Sequence, residues 1–180
     1  MGKLSQIDKA ADSKGSGMAT LWQLVKFVFV SMIAMIVQFA LLNLLLLLPQ
    51  VQALRSEPYA FWVFASDGLD KNGLGFFIAF NIANLAAQIV AFFINREKTF
   101  KSSSSVAVTL PIFLAFTAAM LCFAAWLSPI IQGFCVNKGL ADQLAANATT
   151  MVISFIQFIA YFPLQKILFR KKKEEGAAAV

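Results

Sequence analysis

Long apolar stretches without a charged residue recur along the chain and predict four membrane-spanning helices. A spanning helix needs about 20 mostly apolar residues. The stretches that meet this length are Phe27 to Leu48, Asn72 to Asn95, Ser102 to Asn137 and Gln143 to Gln165. The pattern predicts an all-α integral membrane protein. Its membrane domain covers residues 21–173, between a polar tail at residues 1–20 and a C-terminal tail at residues 174–180.

The remaining segments are too polar or too short to span. Residues 1–20 are polar and predict a cytoplasmic tail that is disordered or lies on the surface. The aromatic segment Tyr59–Phe64 is too short to span, and aromatic side chains favour the headgroup layer. We expect this segment at the outer interface, with a short helix as the form it can take there. Ser128-Pro129 interrupts the third stretch and predicts a helix end near Leu127.

Composition supports lipid as the solvent of these stretches. The chain of 180 residues is 59% hydrophobic and 13% charged, whereas a soluble domain carries about 25% charged residues. Its net charge of +6 lies beside the apolar runs, which indicates membrane topology and not the binding of nucleic acid. The two cysteines, Cys122 and Cys135, and the absence of histidine leave no metal-binding pattern and no disulfide framework. No cofactor is expected.

The charges of the connecting segments orient the four helices. Loops rich in Lys and Arg stay in the cytoplasm. Basic residues concentrate before the first stretch, between the second and third, and after the fourth: Lys3, Lys9, Lys14 and Lys26; Arg96, Lys98 and Lys101; Lys166, Arg170, Lys171, Lys172 and Lys173. The first loop has a small acidic excess, and the third has only Lys138. Both termini are therefore predicted in the cytoplasm.

Polar residues inside the apolar stretches form stripes at helical spacing. Those of the second stretch fall within an arc of roughly 60°, and the fourth and first stretches repeat the pattern. The stripes are Asn81, Asn84, Gln88 and Asn95; Asn147, Thr150, Ser154, Gln157 and Tyr161; and Ser31, Ala34 and Gln38. One interpretation is that they hold helices together. The other is a polar groove for a hydrophilic headgroup. The sequence leaves both open, since one stripe can do both.

The spans lack the groups that catalysis and proton coupling need. They contain no Asp, Glu or His, whereas proton-coupled carriers usually rely on such a residue. The chain has no G-x-x-x-x-G-K phosphate loop and no Ser/His/Asp or paired-carboxylate constellation in a plausible site. We therefore expect neither a small four-helix antiporter nor an enzyme.

Cations gather at the cytoplasmic ends of the spans. Lys26 opens the first, Asn95-Arg96 closes the second and Gln165-Lys166 closes the fourth. A phosphate at the inner headgroup level suits such a cluster, because charge-assisted hydrogen bonds to phosphate are strong. The alternative is that these residues only set topology and bind anionic membrane lipids.

A short internal repeat links the ends of the second and fourth stretches. Ala91–Arg96 parallels Tyr161–Lys166. Each segment then reaches an aromatic and a basic residue, Phe100-Lys101 and Phe169-Arg170. Both segments run from outside to inside, so the two halves would be parallel hairpin repeats.

The same region resembles the GtrA-like family of small membrane proteins. That family begins its first span with Phe-x-x-x-Gly, which here reads Phe27 to Ser31. It closes its second with Asn-Phe-x-x-Asn-Arg-x-Trp-x-Phe, which here reads Ala91 to Phe100. The resemblance covers about residues 21–173. It departs at Ser31, where the family prefers Gly, at Ala91, where it prefers Asn or Ser, and at Lys98, where it prefers an aromatic residue. At the position of Gln38 the family often has Asp.

The resemblance implies a role in cell-surface polysaccharide synthesis, in the cytoplasmic membrane of a prokaryote. Members of the family are thought to move polyprenyl-phosphate-linked sugars from the inner to the outer leaflet. Others look like membrane modules that work with a polyprenyl-phosphate glycosyltransferase, for which the stripes would serve as packing of a scaffold. A homodimer is expected in addition, because four short helices make a thin wall around a headgroup.

On the flippase hypothesis the predicted substrate-binding residues have separate roles. Lys26, Arg96 and Lys166 would hold the phosphate at the inner face, and Asn95 and Gln165 would complete its hydrogen bonding. The residues that would line a path for the sugar are Asn84, Gln88, Ser154 and Gln157, with Gln38 as a further binding residue on the first stretch.

Overall fold

The computed structural model describes residues 3–69 and 73–169, which form a bundle of long helices. In chain order the elements are α1 (Lys3–Ser13), α2 (Ser16–Leu46), α3 (Pro49–Ala53), β1 (Tyr59–Phe61), β2 (Phe64–Ser66), α4 (Leu74–Ile94), a π-helical turn (Asn95–Thr99), α5 (Val106–Asn137) and α6 (Asp142–Leu168). Helix α2, helix α4 with its π-helical turn, helix α5 and, from Met151, helix α6 are long and apolar enough to cross a membrane. The chain is thus an all-α membrane protein in its spanning part, as the apolar stretches predict.

Some predictions fall on residues outside the described ranges. They are the predicted start of the second stretch at Asn72, the basic run of residues 170–173 and the C-terminal tail at residues 174–180. The side chains of Asn147 and Thr150, in the polar stripe of α6, also lie outside the described part of the chain.

The spanning helices expose most of their surface. Between 11% and 28% of the most apolar window of each helix is buried. The exposed side chains include large apolar ones such as Phe29, Phe39 and Phe155. Lipid or a second copy of the chain is the environment that such a surface needs.

Helix α4 packs against α2 through a stripe of small residues. The buried positions of α4 recur at every fourth residue, as Gly75, Ala79, Ala83, Ala87 and Ala91. Ala87 and Ala91 form a buried cluster with Val30 and Ala34 of α2. Small side chains let two backbones approach closely, which favours helix association in lipid. Helices α2 and α4 therefore form a closely packed pair.

Aromatic side chains fill the second cluster, which joins α5 and α6 to the first pair. Its buried members are Phe27, Phe92, Phe100, Phe113, Met120, Tyr161 and Phe169. The ring of Phe113 on α5 lies 5.2 Å from that of Phe92 and 5.8 Å from that of Tyr161, centroid to centroid. Aromatic rings in such offset contacts pack more favourably than their buried area alone implies. The cluster therefore holds the two helix pairs together.

Helix α5 continues through Pro129 to Asn137, so the predicted end near Leu127 is wrong. Proline removes a backbone N–H and leaves the carbonyl four residues earlier without its usual donor. In lipid, neighbouring side chains can replace such lost bonds, and a helix containing proline then persists. Next to Pro129, the Ser128 hydroxyl donates to the Ala124 carbonyl at 2.7 Å, so the polar side chain before the proline is satisfied within the helix.

The first loop contains a β-hairpin, so the short helix expected at Tyr59–Phe64 is wrong. Strands β1 and β2 pair antiparallel, with Tyr59 opposite Ser66. The two-residue turn between them begins at Trp62, whose φ is 52°, as hairpin turns that match the twist of the strands require. The rings of Tyr59 and Phe64 pack on Phe77 of α4, at 4.7 and 5.4 Å.

The N-terminal segment is a helix that folds back on the start of α2. Helix α1 ends at Ser13, and α2 begins at Ser16, inside the segment predicted as a tail. Gly15 between them has a φ of 102°, a conformation that glycine adopts readily. Helix α2 has 31 residues and is about 46 Å long. A hydrocarbon core is about 30 Å thick, so α2 is longer than a perpendicular span requires.

Candidate functional site: a lysine-lined pocket

The predicted cations meet at the end of the bundle where α2 begins and where α4 and α6 finish. Lys26 Nζ on α2 donates to the backbone carbonyl of Lys98 at 3.0 Å. Lys166 Nζ near the end of α6 donates to Thr20 Oγ1 on α2 at 2.8 Å. We call this end of the bundle the basic end. Among the described residues, the basic side chains that it includes are Lys26, Arg96, Lys98, Lys101 and Lys166.

A pocket of about 660 Å³ lies at the basic end. Three lysines line it, Lys26, Lys101 and Lys166, together with the carboxylate of Asp8. The remaining lining residues are Ala19, Trp22, Gln23, Thr99, Phe100, Pro163, Ile167 and Phe169. Cationic groups and apolar surface are therefore combined in one pocket, which suits an anion that carries an apolar chain.

Asp8 brings a negative charge among these lysines. Its Oδ1 accepts hydrogen bonds from Trp22 Nε1 at 2.6 Å and from Lys26 Nζ at 3.0 Å, and its Oδ2 pairs with Lys101. Burial by itself would raise the pKa of Asp8. The hydrogen bonds from Lys101, Lys26 and Trp22 outweigh burial and lower the pKa to about 2. The carboxylate is therefore ionised at neutral pH.

The ends of α4 and α6 match one another in their backbone bonds. Asn95 and Gln165 are each 1% exposed. The amide of Phe100 donates to the Asn95 carbonyl at 2.9 Å, and the amide of Phe169 donates to the Gln165 carbonyl at 2.9 Å. The first bond spans one residue more because the chain is π-helical there. The rings of Phe100 and Phe169 lie 5.6 Å apart, so the two similar sequence segments end next to one another.

The cations that follow these two amides have different surroundings. Arg96 donates from Nε and Nη2 to the carbonyl of Ser104 at 3.1 and 2.6 Å, which closes the loop before α5. Lys166 lines the pocket, whereas Arg96 does not belong to its lining. Of the three cations predicted to hold a phosphate, the structure therefore brings Lys26 and Lys166 to the pocket, and places Arg96 in a loop contact.

The two buried amides also differ in their hydrogen bonds. Asn95 Oδ1 accepts a bond from Thr99 Oγ1 at 2.8 Å. Gln165 Oε1 is buried and has no hydrogen-bond partner among the described residues. Neither amide lines the pocket. An unpartnered buried carbonyl oxygen requires a donor, which an ionised phosphate does not offer and a hydroxyl does.

The polar stripes of the spans divide between helix contacts and exposed surface. Asn84 Nδ2 donates to Gln38 Oε1 at 3.3 Å, which joins α4 to α2. Asn84 Oδ1 is buried and lacks a partner among residues 3–69 and 73–169. Gln88 and Gln157 are half-buried, whereas Ser154 is exposed on α6. The structure thus brings Gln38 and Asn84 together and leaves Ser154 on the outer face of a single chain.

Sequence reasoning missed two contributors to the pocket and undervalued a third. Asp8 and Trp22 were absent from the predicted site, and Lys101 was assigned to topology alone. The signal for Asp8 was available in α1, where an acidic residue lies beside the apolar positions Ile7 and Ala11 at helical spacing. Its contact with Lys101 spans about half of the chain, and no local pattern indicates it.

Comparison with known proteins identifies no relative. No protein-family model matches the chain, and no curated protein and no solved structure matches it. The resemblance to the GtrA-like family therefore rests on the motifs at Phe27–Ser31 and Ala91–Phe100 and on the four-span layout. Both motifs lie at or next to the pocket, since Lys26 precedes the first and Phe100 ends the second.

Proposed function

We propose that this chain moves a polyprenyl-phosphate-linked monosaccharide across the cytoplasmic membrane of a prokaryote for the synthesis of a cell-surface polysaccharide. The observation that carries the proposal is the convergence of Lys26, Lys101 and Lys166 on one pocket at the end of four membrane-spanning helices. The GtrA-like motifs supply the substrate class. The proposed activity is transport and not catalysis.

The pocket chemistry supports a lipid phosphate as the ligand. Ammonium groups form strong charge-assisted hydrogen bonds with phosphate oxygens. Phe100, Ile167 and Phe169 add apolar surface beside the lysines, which the first isoprene units of the lipid would contact. Trp22 lies in the same wall, and tryptophan favours the headgroup level of a membrane. The phosphate would therefore be held where the lipid tail can stay in the bilayer.

Unpartnered acceptors inside the bundle support a hydroxyl-bearing headgroup. Asn84 Oδ1 and Gln165 Oε1 are buried without a hydrogen-bond partner among the described residues. Sugar hydroxyls donate hydrogen bonds and would satisfy both atoms. Gln88 and Gln157, both half-buried, would extend the path. In a homodimer, the second chain would cover the exposed face on which Ser154 lies.

The proposal includes an orientation and an internal symmetry. The basic end would face the cytoplasm, because cytoplasmic loops carry an excess of Lys and Arg, and both chain termini would lie on that side. Helices α2 and α4 would form one hairpin repeat and α5 and α6 the other. The matching bonds from the backbone amides of Phe100 and Phe169 to the backbone carbonyls of Asn95 and Gln165 support this symmetry.

A leaflet-accessibility assay tests the proposed transport. Purified protein is reconstituted in liposomes that contain a defined polyprenyl-phosphate monosaccharide, and the fraction of lipid open to a membrane-impermeant reagent is followed over time. Wild-type protein should expose the inner-leaflet lipid, and Lys166→Ala should slow this at least about tenfold, since hydrogen bonds to charged groups contribute about 1.5–3 kcal/mol.

The matched control is Lys98→Ala at the same end of the bundle. Its side chain is 76% exposed and does not line the pocket, so the rate should stay at the wild-type value. Wild-type protein that moves the lipid no faster than protein-free liposomes contradicts the proposal.

The second candidate function is a scaffold that anchors or aligns a polyprenyl-phosphate glycosyltransferase. The hydrogen bond between Asn84 and Gln38 favours it, because that part of the polar stripe serves as packing between α4 and α2. The exposure of Ser154 favours it as well. Co-purification with such a transferase, together with no lipid movement in liposomes, would support the scaffold. Movement of the lipid by the purified chain alone would reject scaffolding as its sole role.

A further inference from the structure

Asp8 occupies the position that a bound anion would take in the lysine-lined pocket. Its carboxylate receives bonds from Trp22 Nε1, from Lys26 Nζ and from Lys101 Nζ. Carboxylate and phosphate oxygens accept the same charge-assisted bonds. Two of the three pocket lysines are therefore already bound to an anion that belongs to the chain itself.

Helix α1, which carries Asp8, buries few of its described side chains. Among its described side chains, Asp8 and Ala11 are the buried ones, at 8% and 7% exposure, and Ile7 is 46% exposed. Its link to α2 runs through Gly15, where a Cβ atom would meet nothing within 4 Å. Because little apolar surface is buried, the three bonds of Asp8 contribute strongly to the docking of α1.

We propose that α1 is a displaceable lid, held over the pocket by Asp8 and released when the phosphate group of a membrane lipid takes the place of the Asp8 carboxylate. The inference rests on the proposed function, since it assumes that this pocket receives a lipid phosphate. Lys26 and Lys101 exchange one anion for the other. Lys166, whose partner is the Thr20 hydroxyl, makes the first contact with the incoming phosphate.

If α1 is a lid, loss of Asp8 changes the affinity for phosphate in the opposite direction from loss of an ordinary binding residue. If Asp8 only ordered the lysines, its loss would weaken phosphate binding. If Asp8 competes with the ligand, its loss strengthens binding, because the observed affinity is reduced by the fraction of protein in which the pocket is occupied. The substitution Asp8→Asn removes the charge and preserves the size of the side chain.

Binding of a polyprenyl monophosphate to the full chain in lipid nanodiscs shows whether loss of Asp8 strengthens or weakens the affinity. Asp8→Asn should bind a polyprenyl monophosphate about tenfold more tightly than wild type. The matched control is Glu97→Gln, which removes one negative charge at the same end from a side chain that is 59% exposed and pairs with Lys98, and it should bind as wild type does. Equal or weaker binding by Asp8→Asn overturns the lid. Inorganic phosphate is tested in parallel, and binding of inorganic phosphate without binding of the lipid overturns the lipid as the source.

A second measurement keeps the wild-type Asp8 and follows the lid directly. A thiol is introduced by Ala11→Cys in a background of Cys122→Ala and Cys135→Ala, and its reaction with a membrane-impermeant maleimide is timed. The rate should rise at least fivefold when polyprenyl monophosphate is added, because α1 leaves the pocket. A rate that does not change with the lipid bound contradicts displacement, even if Asp8→Asn fails to fold.

The two measurements distinguish a failure of the lid proposal from a failure of the proposed transport function. Wild-type protein that binds no polyprenyl monophosphate rejects the phosphate site and the lid together. Wild-type protein that binds and moves the lipid, while the thiol at position 11 stays protected, rejects the lid and leaves the transport proposal intact.

Discussion

The ends of α4 and α6 share a buried amide residue and a backbone hydrogen bond, but they differ in the partners of their side chains. Asn95 at the end of α4 and Gln165 near the end of α6 are both buried, and each backbone carbonyl accepts a bond from a buried phenylalanine amide. At the α4 end, Asn95 and Arg96 find their partners within the same turn and loop. At the α6 end, Gln165 Oε1 has no partner among the described residues and Lys166 lines the pocket.

The difference shows how one local pattern serves two purposes. A buried polar group costs free energy unless it is hydrogen-bonded. At the α4 end the polar side chains are hydrogen-bonded within the turn and to the loop before α5, so these bonds connect α4 to α5. At the α6 end, Gln165 Oε1 lacks a partner among the described residues, and the cation Lys166 lines the pocket. We therefore expect substitutions at the α4 end to change stability, and substitutions at the α6 end to change ligand binding.

The largest effect should come from the aromatic contact that joins the two ends. The ring of Phe169 is 5.1 Å from that of Phe92 and 5.6 Å from that of Phe100. Phe169→Ala should lower the free energy of unfolding by about 3 kcal/mol, as large-to-small changes of buried aromatics do. The control is Phe155→Ala on the same helix, at a ring that is 65% exposed. The free energies of unfolding are measured by denaturant titration of the reconstituted protein. Equal losses for both variants would contradict the role of Phe169 as the contact that joins the two helix ends.

The next effect separates the two cations. Lys166→Ala should weaken binding of polyprenyl monophosphate by at least about tenfold, because a charge-assisted bond is lost. Arg96→Ala should leave that affinity nearly unchanged and lower stability, since it frees the Ser104 carbonyl. Binding titrations on both variants give the answer. Equal losses of affinity would mean that the two ends act alike, and that the loop contact of Arg96 is not its main role.

A smaller effect separates the two amides. Asn95→Leu should lower the free energy of unfolding by about 1–3 kcal/mol, because the buried Thr99 hydroxyl loses its acceptor. Gln165→Leu removes an acceptor that has no partner among the described residues, and should change stability little while slowing sugar-lipid transport. Thermal unfolding and the leaflet assay are run on both variants. A loss of stability from Gln165→Leu as large as that from Asn95→Leu would contradict the contrast.

The smallest effect at physiological pH concerns Lys101, which follows Phe100 and pairs with Asp8. The docked carboxylate has its pKa lowered from 3.8 to about 2. Its contribution to docking is therefore fully present above pH 3.8, and is lost as the pH falls through 2. A spin label at position 11 should show unchanged mobility from about pH 5 to 8 and rising mobility below about pH 4. Release of α1 near neutral pH would show that another group holds it.

The fold was predictable wherever a long pattern decides it. Four spans follow from uncharged length alone, and their grouping at a basic end follows from the distribution of Lys and Arg. The buried stripe from Gly75 to Ala91 is also visible in the sequence as small residues at every fourth position. The continuation of α5 past Pro129 was not predictable by the rules for soluble helices, because lipid changes what a missing backbone bond costs.

The site was predictable in part, for a related reason. Lys26 and Lys166 were predictable because each directly adjoins the end of an uncharged apolar stretch. The sequence does not predict Asp8 as a pocket residue, because its position depends on α1 folding back at Gly15 and on contacts with residues far along the chain. The sequence predicts a phosphate contact for Arg96 because it follows an amide residue at the end of a span, as Lys166 does, and only the loop before α5 distinguishes the two.

The most direct test of the central claim is to map where the lipid phosphate binds. A polyprenyl phosphate with a photoreactive group next to the phosphate is added to the reconstituted full chain, irradiated, and located by mass spectrometry with and without excess unlabelled lipid. The account predicts competable labelling at the pocket wall, on Trp22, Phe100 or Ile167, and its loss in Lys166→Ala. Competable labelling confined to the opposite end of the bundle, around the β1–β2 hairpin, would contradict it.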